Sequence, residues 1–194
     1  KGIGRAWVNK NLKGDESVEK IVSLLNNNSK QNDIITIEDF EANKEHIIDQ
    51  IEKLGESCDG VVALGDKDFP NHRGEVKKSE QPIYLFYKGD LSLLDSDNTN
   101  ISVIGLLNPD VEIELRERKL VSEIIKKEIT IVSGLALGCD SIAHEQALKG
   151  GKTIAILPSA LNNIMPATNR GLAFEIVDAG GLIISEYFDD HKSG

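Results

Sequence analysis

Glycines and small polar residues are concentrated in residues 130–144, and their spacing predicts a turn that binds an anion. A β-branched run ends at Ser133-Gly134, a second glycine follows at Gly138, and a helix-like pattern begins near Asp140. A strand, a tight turn and a helix in this order direct backbone N–H groups and the positive end of a helix dipole toward one point. The predicted chemistry of this stretch is therefore phosphate binding.

Side chains for catalysis or metal binding are sparse. Cys58 and Cys139 are far apart without a CxxC partner, and we interpret both as reduced, buried side chains; a reactive Cys139 thiol beside a helix N-terminus is the weaker alternative. The four histidines show no HxxxH or HxH spacing, so no zinc site is predicted. No serine or cysteine near His144 has a plausible third residue with which to complete a catalytic triad, so we interpret His144 as structural. The sequence thus predicts no catalysis, no metal and no cofactor.

Composition limits the classes of partner. The 194 residues suffice for one medium domain, or for a medium domain and a small one, with 40% hydrophobic and 28% charged residues. No apolar run approaches the length of a bilayer and no signal-peptide pattern opens the chain, so a cytoplasmic protein without a membrane partner is predicted. A net charge of −10 argues against broad electrostatic binding of nucleic acid and leaves a local basic patch open.

The chain contains two regions with different sequence patterns, which predict two domains. Residues 1–72 predict a small helical N-terminal domain, with candidate helices at 18–25, from Thr36 onward and at 47–54, and a strand-like run at 60–64. A polar linker follows at residues 73–81. Residues 82–194 then alternate between apolar strands and helices, and form the second predicted domain.

The second domain is predicted to be α/β, with a Rossmann-like parallel sheet and helices on both faces. Ligands of such sheets bind at the carboxyl ends of the strands, which is where the turn after Ser133 lies. Asn169 and Arg170 follow a loop after another strand and are predicted at the same edge. Asn169 has the alternative role of a helix cap. Arg170 is unfavourable toward the dipole of the helix it begins, so an anion partner and a plain surface position stay equally open. The predicted strands are residues 83–87, 101–105, 129–133, 153–157 and 182–185, and the predicted helices are 111–127, 141–149 and 169–179.

Several segments together resemble the DNA-processing protein A (DprA/Smf) family. Residues 82–90 resemble its "P..L...G" strand, and residues 133–144 resemble its "SGLAxGID..AH" turn and helix. Residues 153–169 are similar to "TIAVL…YPxxN", and residues 180–187 to "GGxxISEY". The opening Lys1-Gly-Ile-Gly4 is similar to the helix-hairpin-helix or SAM-like domain that often precedes this fold. The resemblance covers nearly the whole chain in the family's order.

The resemblance implies an extended Rossmann-like fold that binds single-stranded DNA, dimerises, and helps to load a RecA-type recombinase during DNA uptake and transformation. It implies no enzymatic activity. The predicted phosphate-binding residues are Ser133, Gly134, Leu135, Ala136, Gly138, Asn169 and Arg170.

The chain departs from the family's pattern in two places. Leu107 stands where the family's "VGSRxxS" turn has its arginine, and Asp110 stands where it has its serine. We expect Asn108 to cap the following helix, with Pro109 in its first position and a carboxylate where a phosphate would lie. The family also continues past "SEY" into an "RNRIIAGLS" segment, so the domain at 82–194 is expected to be incomplete.

Three alternatives remain open from the sequence. The lost arginine favours a divergent Rossmann-like nucleotide sensor or regulatory module that no longer binds DNA. A nucleotide-cleaving enzyme of the lysine-decarboxylase-like (LOG) type would need a "PGGxGTxxE" motif, which Leu157-Pro-Ser-Ala160 does not reproduce. The third alternative is a protein-interaction scaffold without a ligand.

Overall fold

The computed structural model of the chain describes residues 3–28, 34–71 and 75–188. Two stretches used in the sequence predictions lie partly outside these residues, namely Lys1-Gly2 of the N-terminal fragment and residues 72–74 around the start of the linker. Among the helices in the described part of the chain, none combines the length and the apolar character needed to cross a bilayer.

The chain divides into two compact units, each built from two stretches of sequence. The first consists of Lys1–Gly55 with Val62–Tyr84, and the second of Glu56–Val61 with Leu85–Gly194. The domain organisation predicted from the sequence, with a linker at residues 73–81, stays a prediction. The first unit contains helices α1 (Arg5–Asn11), α2 (Val18–Asn28) and α3 (Ile37–Glu52).

Helix α3 corrects the expectation of two separate helices in this region. Thr36 caps it, because the Thr36 hydroxyl accepts from the Asp39 N–H at 3.0 Å and the Asp39 carboxylate accepts from the Thr36 N–H at 3.1 Å. No glycine or proline interrupts the segment before Gly55, so nothing ends the helix at the predicted gap. The two predicted helices are one continuous element.

A six-stranded sheet with the order β1-β2-β6-β5-β4-β3 is the centre of the α/β part. Its Rossmann-like α/β character confirms the predicted fold class. The strands are β1 (Gly60–Ala63), β2 (Tyr84–Gly89), β3 (Asn100–Ser102), β4 (Thr130–Ser133), β5 (Thr153–Leu157) and β6 (Leu182–Ser185), and the helices that connect the last four are α4 (Val111–Ile125), α5 (Cys139–Ala147) and α6 (Arg170–Asp178).

Strands β3 to β6 are parallel neighbours in chain order, whereas β2 runs antiparallel to β6. The expectation of a wholly parallel sheet is therefore wrong at β2. Gly89 at the end of β2 lies opposite Leu182 at the start of β6. A short segment with one 3₁₀ turn, Leu91–Leu94, then leads to β3. Because that connection contains no crossover helix, β2 has to end at the edge where the parallel strands begin.

The three crossover helices lie on one face of the sheet. Right-handed crossovers between successive neighbouring strands all pass over the same side, and α5 packs against both α4 and α6. The fully buried Val121, Ile131 and Ala143 form the core beneath α4 and α5. The helices predicted on both faces are thus found on one. On the other face, Ile154 is fully buried while Ile156 at the end of the same strand is 49% exposed.

His144 is a fully buried structural residue of this core, as the sequence predicts. Its Nδ1 lies 2.7 Å from the hydroxyl of Thr153, and that hydroxyl donates to the carbonyl of Ile131 at 3.0 Å. The hydroxyl proton is therefore used, so Nδ1 carries a proton and donates. Burial lowers the pKa of His144 to about 4, against a small opposing effect of Asp140.

The buried imidazole makes the stability of the protein depend on pH. The pKa of His144 is about 4 in the folded chain and 6.5 when the imidazole is exposed in the unfolded chain. Burying the neutral imidazole therefore costs no stability above pH 6.5, and the free energy of unfolding falls as the pH drops from 6.5 toward 4. We expect the free energy of unfolding in urea to fall by about 2 kcal/mol between pH 7 and pH 5 through this group. His144→Asn, which keeps a donor but does not titrate, should remove this slope, and His46→Ala should keep it. An unchanged slope in His144→Asn would contradict the assignment.

Candidate nucleic-acid interface

The turn between β4 and α5 has an unusual backbone. Leu135 has a φ of 61° and is fully buried, and Gly138 has a φ of 76°. A Cβ atom at Gly138 would collide with the carbonyl groups of Leu106 and Leu107 in the loop after β3. That loop also accepts the first N–H of α5, because the Cys139 N–H donates to the Leu106 carbonyl at 2.9 Å. The two loops therefore brace one another at the carboxyl edge of the sheet.

Asp140 uses two of the donors that the sequence assigns to phosphate. One of its carboxyl oxygens accepts from the N–H of Gly134 at 3.0 Å and from the N–H of Ala136 at 3.3 Å. The hydroxyl of Ser133 is used as well, since it donates to the carbonyl of Val103 at 2.7 Å. The turn thus contains its own acidic group at the position where an external anion is predicted.

Asn169 belongs to the same cluster, although it comes from the loop after β5. Its side-chain amide donates to the carbonyls of Leu135 at 2.8 Å and Ala136 at 3.1 Å, and lies 2.8 Å from the hydroxyl of Ser141. It stands at the N-cap position of α6 but makes no capping hydrogen bond there. The structure therefore assigns the amide to holding the turn, and not to the alternative role of a helix cap.

Two N–H groups of the turn stay available. Within the described part of the chain, no acceptor is found for the N–H groups of Leu137 and Gly138. Both precede the N-terminus of α5, where the helix dipole favours an anion. Cys139, the first residue of that helix, is not a reactive thiol, because burial and then the neighbouring Glu117 raise its pKa.

Arg170 lies apart from this turn. It lines a cleft of about 540 Å³, and none of residues 133–138 contributes to the lining. The cleft lies beside α6 over strands β2 and β6. It is formed by Glu56, Ser57, Asp59, Lys88, Leu161, Asn162, Ile164, Arg170, Phe174 and Ile183.

The two cations of the cleft differ in how they are paired. Lys88 donates to the carbonyl of Glu56 at 2.6 Å and lies 3.4 Å from a carboxylate oxygen of Asp59. The guanidinium of Arg170 is exposed and makes no hydrogen bond or ion pair with any described residue. The ring of Phe174, one turn further along α6, is half exposed. An unpaired guanidinium and an open aromatic ring therefore lie in one cleft.

The loop after β3, residues 103–110, contains no basic side chain. Leu107, at the position of the family's arginine, is 62% exposed. Helix α4 begins two residues later than the predicted cap implies, because the carboxylate of Asp110 accepts from the N–H of Ile113 at 2.9 Å. The N-cap is therefore Asp110, and the prediction of Asn108 as cap with Pro109 in the helix is wrong. An aspartate at the N-cap reaches the third N–H of the helix directly.

The family model for DNA recombination-mediator protein A matches residues 60–193. The chain belongs to this family. Protein Smf of Borreliella burgdorferi is 32% identical over 127 residues, which are 65% of this chain and 39% of that protein. DNA processing protein DprA of Streptococcus pneumoniae is 36% identical over 109 residues, 56% of this chain and 37% of the relative. The chain thus spans well under half the length of these relatives.

Solved structures of DNA processing protein A are similar to this member of the family. The X-ray structure of the Streptococcus pneumoniae protein superposes with a TM-score of 0.68 at 26% identity, over 94% of this chain and 61% of that one. The Helicobacter pylori protein, described for its single-stranded DNA binding mode, superposes with a TM-score of 0.55 at 34% identity, over 69% of this chain and 59% of that one. The resemblance predicted from the sequence motifs is confirmed.

Sequence reasoning brought the turn and Asn169 together correctly but missed the acceptor between them. Asp140 lies in the first turn of a helix after a glycine, which is a local signal for an acidic residue that binds backbone N–H groups. Lys88 and Phe174 had no such signal, because only the packing of β2 beside β6 and α6 places them near Arg170.

Two glycine substitutions test whether the turn is held in this backbone conformation. Gly138→Ala should lower the free energy of unfolding by at least about 1–3 kcal/mol, because alanine is strained at this φ and its Cβ meets two carbonyls. Gly171→Ala, in α6 with no atom within 4 Å of the new Cβ, should instead stabilise by about 0.5–1 kcal/mol. Urea unfolding of both variants is the measurement. Equal stability of the two would show that the turn accommodates a side chain.

Proposed function

We propose that this chain binds single-stranded DNA along the carboxyl edge of its sheet, with no catalysis of its own. The observation on which the proposal rests is the unpaired guanidinium of Arg170, which lies at the start of α6 in an open cleft. A cation at a helix N-terminus is unfavourable toward the dipole, and an anionic ligand there offsets that cost. A phosphate of the DNA backbone is such a ligand.

Phe174 supplies the second half of the interaction. Its half-exposed ring lies in the same cleft as Arg170. Proteins that bind single strands without sequence preference combine a cation for the phosphate with an aromatic ring on which a base stacks, and each stacked base contributes about 1–3 kcal/mol. The proposed arrangement is one phosphate at Arg170 with an adjacent base on Phe174.

The turn after β4 supports this site and offers further donors. The N–H groups of Leu137 and Gly138 have no acceptor among the described residues and can donate to a second phosphate beside α5, whereas those of Gly134 and Ala136 donate to Asp140. Ser133, Leu135 and Asn169 remain part of the predicted site as the residues that hold its shape. This division follows from the hydrogen bonds of the free protein.

The relatives support a proposal for the wider role. Proteins named DprA, and the Helicobacter pylori structure described for single-stranded DNA binding, support a function in processing incoming DNA. We extend this to DNA uptake and transformation in the cytoplasm, with a homodimer as the active form and a RecA-type recombinase loaded onto the bound strand. Each of these is a proposal for the whole protein.

A nucleotide sensor is the second candidate. Leu107 is exposed at the position of the family's arginine, so a DNA backbone would find one positive charge fewer along this edge. The cleft of about 540 Å³ has the size of a small-molecule site. A mononucleotide would use the same Arg170 and Phe174. The two candidates therefore differ in ligand length and not in the residues that bind.

Fluorescence anisotropy with a labelled twenty-nucleotide oligo-dT tests the first proposal. Arg170→Glu should weaken binding at least about tenfold, because it replaces an attraction to phosphate with a repulsion. Arg170→Lys should retain most of it. The slope of log K against log salt should fall by about 0.7 for the lost phosphate contact. Lys126→Glu, the same charge change at an exposed residue after α4, is the matched control.

If Arg170→Glu weakens binding of oligo-dT no more than Lys126→Glu does, the proposed site is wrong. A thermal-shift measurement with dTMP distinguishes the second candidate. Stabilisation by dTMP at concentrations where oligo-dT neither binds nor stabilises would select the nucleotide sensor.

A further inference from the structure

A second groove lies between α4 and the loop after β3. It has a volume of about 410 Å³ and shares no residue with the cleft of Arg170 and Phe174. Its walls are mostly apolar. It is formed by Val103, Ile104, Gly105, Leu106, Ile113, Arg116, Glu117, Leu120 and Cys139.

Glu117 is the unusual member of this groove. Both of its carboxyl oxygens are buried, and apart from the S–H group of Cys139 no described residue is placed to give either one a hydrogen bond. The neighbouring cations are already occupied, since Arg116 pairs with Glu112, and Arg118 binds two other glutamates. The thiol of Cys139 lies beside Glu117, but an S–H group is only a weak donor. A carboxyl group removed from water without a donor is costly, and such groups require an explanation.

The rim of the groove is apolar and open. Ile104 is 80% exposed, Leu106 is 54% exposed and Leu120 is 56% exposed. Leu107 extends this surface at the position where the family resemblance places an arginine. Clustered exposed apolar side chains mark interaction surfaces of proteins. This rim offers nothing to a phosphate backbone, so it suits a protein partner better than DNA.

We propose that this groove docks an apolar segment of a partner protein that inserts a lysine or arginine toward Glu117. The aliphatic stem of such a side chain packs against apolar walls. Its charged end supplies donors to the Glu117 carboxyl group once a rotation of the Glu117 side chain turns that group from its buried position toward the open groove. The net charge of −10 on this chain favours a basic partner over an acidic one. The proposal is independent of DNA binding, because the two surfaces share no residue.

Three labelled nine-residue peptides of alanine and leucine, with lysine, norleucine or glutamate at the centre, test the docking chemistry by fluorescence anisotropy. We expect the lysine peptide to bind at least tenfold more tightly than the other two. Glu117→Gln should abolish that preference. Leu120→Ser in the groove should weaken the lysine peptide severalfold, and Leu115→Ser, at an exposed leucine of α4 outside the groove, should leave it unchanged.

Stability provides the second readout. Glu117→Met fills the same space without an unsatisfied group, so the melting temperature of the free chain should rise while the lysine preference disappears. A fall of several degrees would show that the carboxyl group serves the fold, and would overturn the proposal. Equal binding of the three peptides, equal effects of Leu120→Ser and Leu115→Ser, or displacement of the lysine peptide by oligo-dT would overturn it as well.

Discussion

The side-chain amide of Asn169 is the interaction on which the candidate interface depends. It reaches from the loop after β5 to two carbonyls in the turn after β4. One of these belongs to Leu135, a buried residue with a left-handed backbone that is strained for leucine. From the other side, the carboxylate of Asp140 accepts two N–H groups of the same turn. A buried carbonyl or N–H without a partner costs about 1–3 kcal/mol, so these contacts together outweigh the local strain.

The same contact connects the turn to the cleft. The hydrogen bonds from the Asn169 amide to the turn fix the position of Asn169, and therefore also that of the next residue, with which α6 begins. That residue is Arg170, whose guanidinium lines a cleft with residues from β2 and β6. The candidate interface therefore has two separate parts, a turn whose donors are mostly used and an open cleft whose guanidinium is unpaired among the described residues. The proposed anion contact thus lies in the second part, although the glycine motif lies in the first.

The loop after β3 presents a different surface from the one that the family resemblance implies. In the loop after β3, the positions that resemble the phosphate-binding turn of the family hold Leu107 and Asp110, and the aspartate caps α4. The apolar rim that results surrounds the unsatisfied carboxyl group of Glu117. Under the two proposals above, the two surfaces bind ligands of opposite charge, because a carboxylate repels phosphate. The two cavities differ in the side chains that line them.

The sequence by itself determined the family, the α/β class and most of the elements of the second unit, because buried strands and amphipathic helices leave periodic patterns that need no distant partner. It also brought Ser133, Gly138 and Asn169 to one edge. It did not determine the antiparallel β2, the single helical face, or the use of Asp140 as the internal acceptor. These depend on which strands become neighbours and which donors remain unpaired after packing. Arg170 and Phe174 come to line one cleft for the same reason, since only tertiary contacts bring β2 beside β6 and leave the guanidinium without a partner among the described residues.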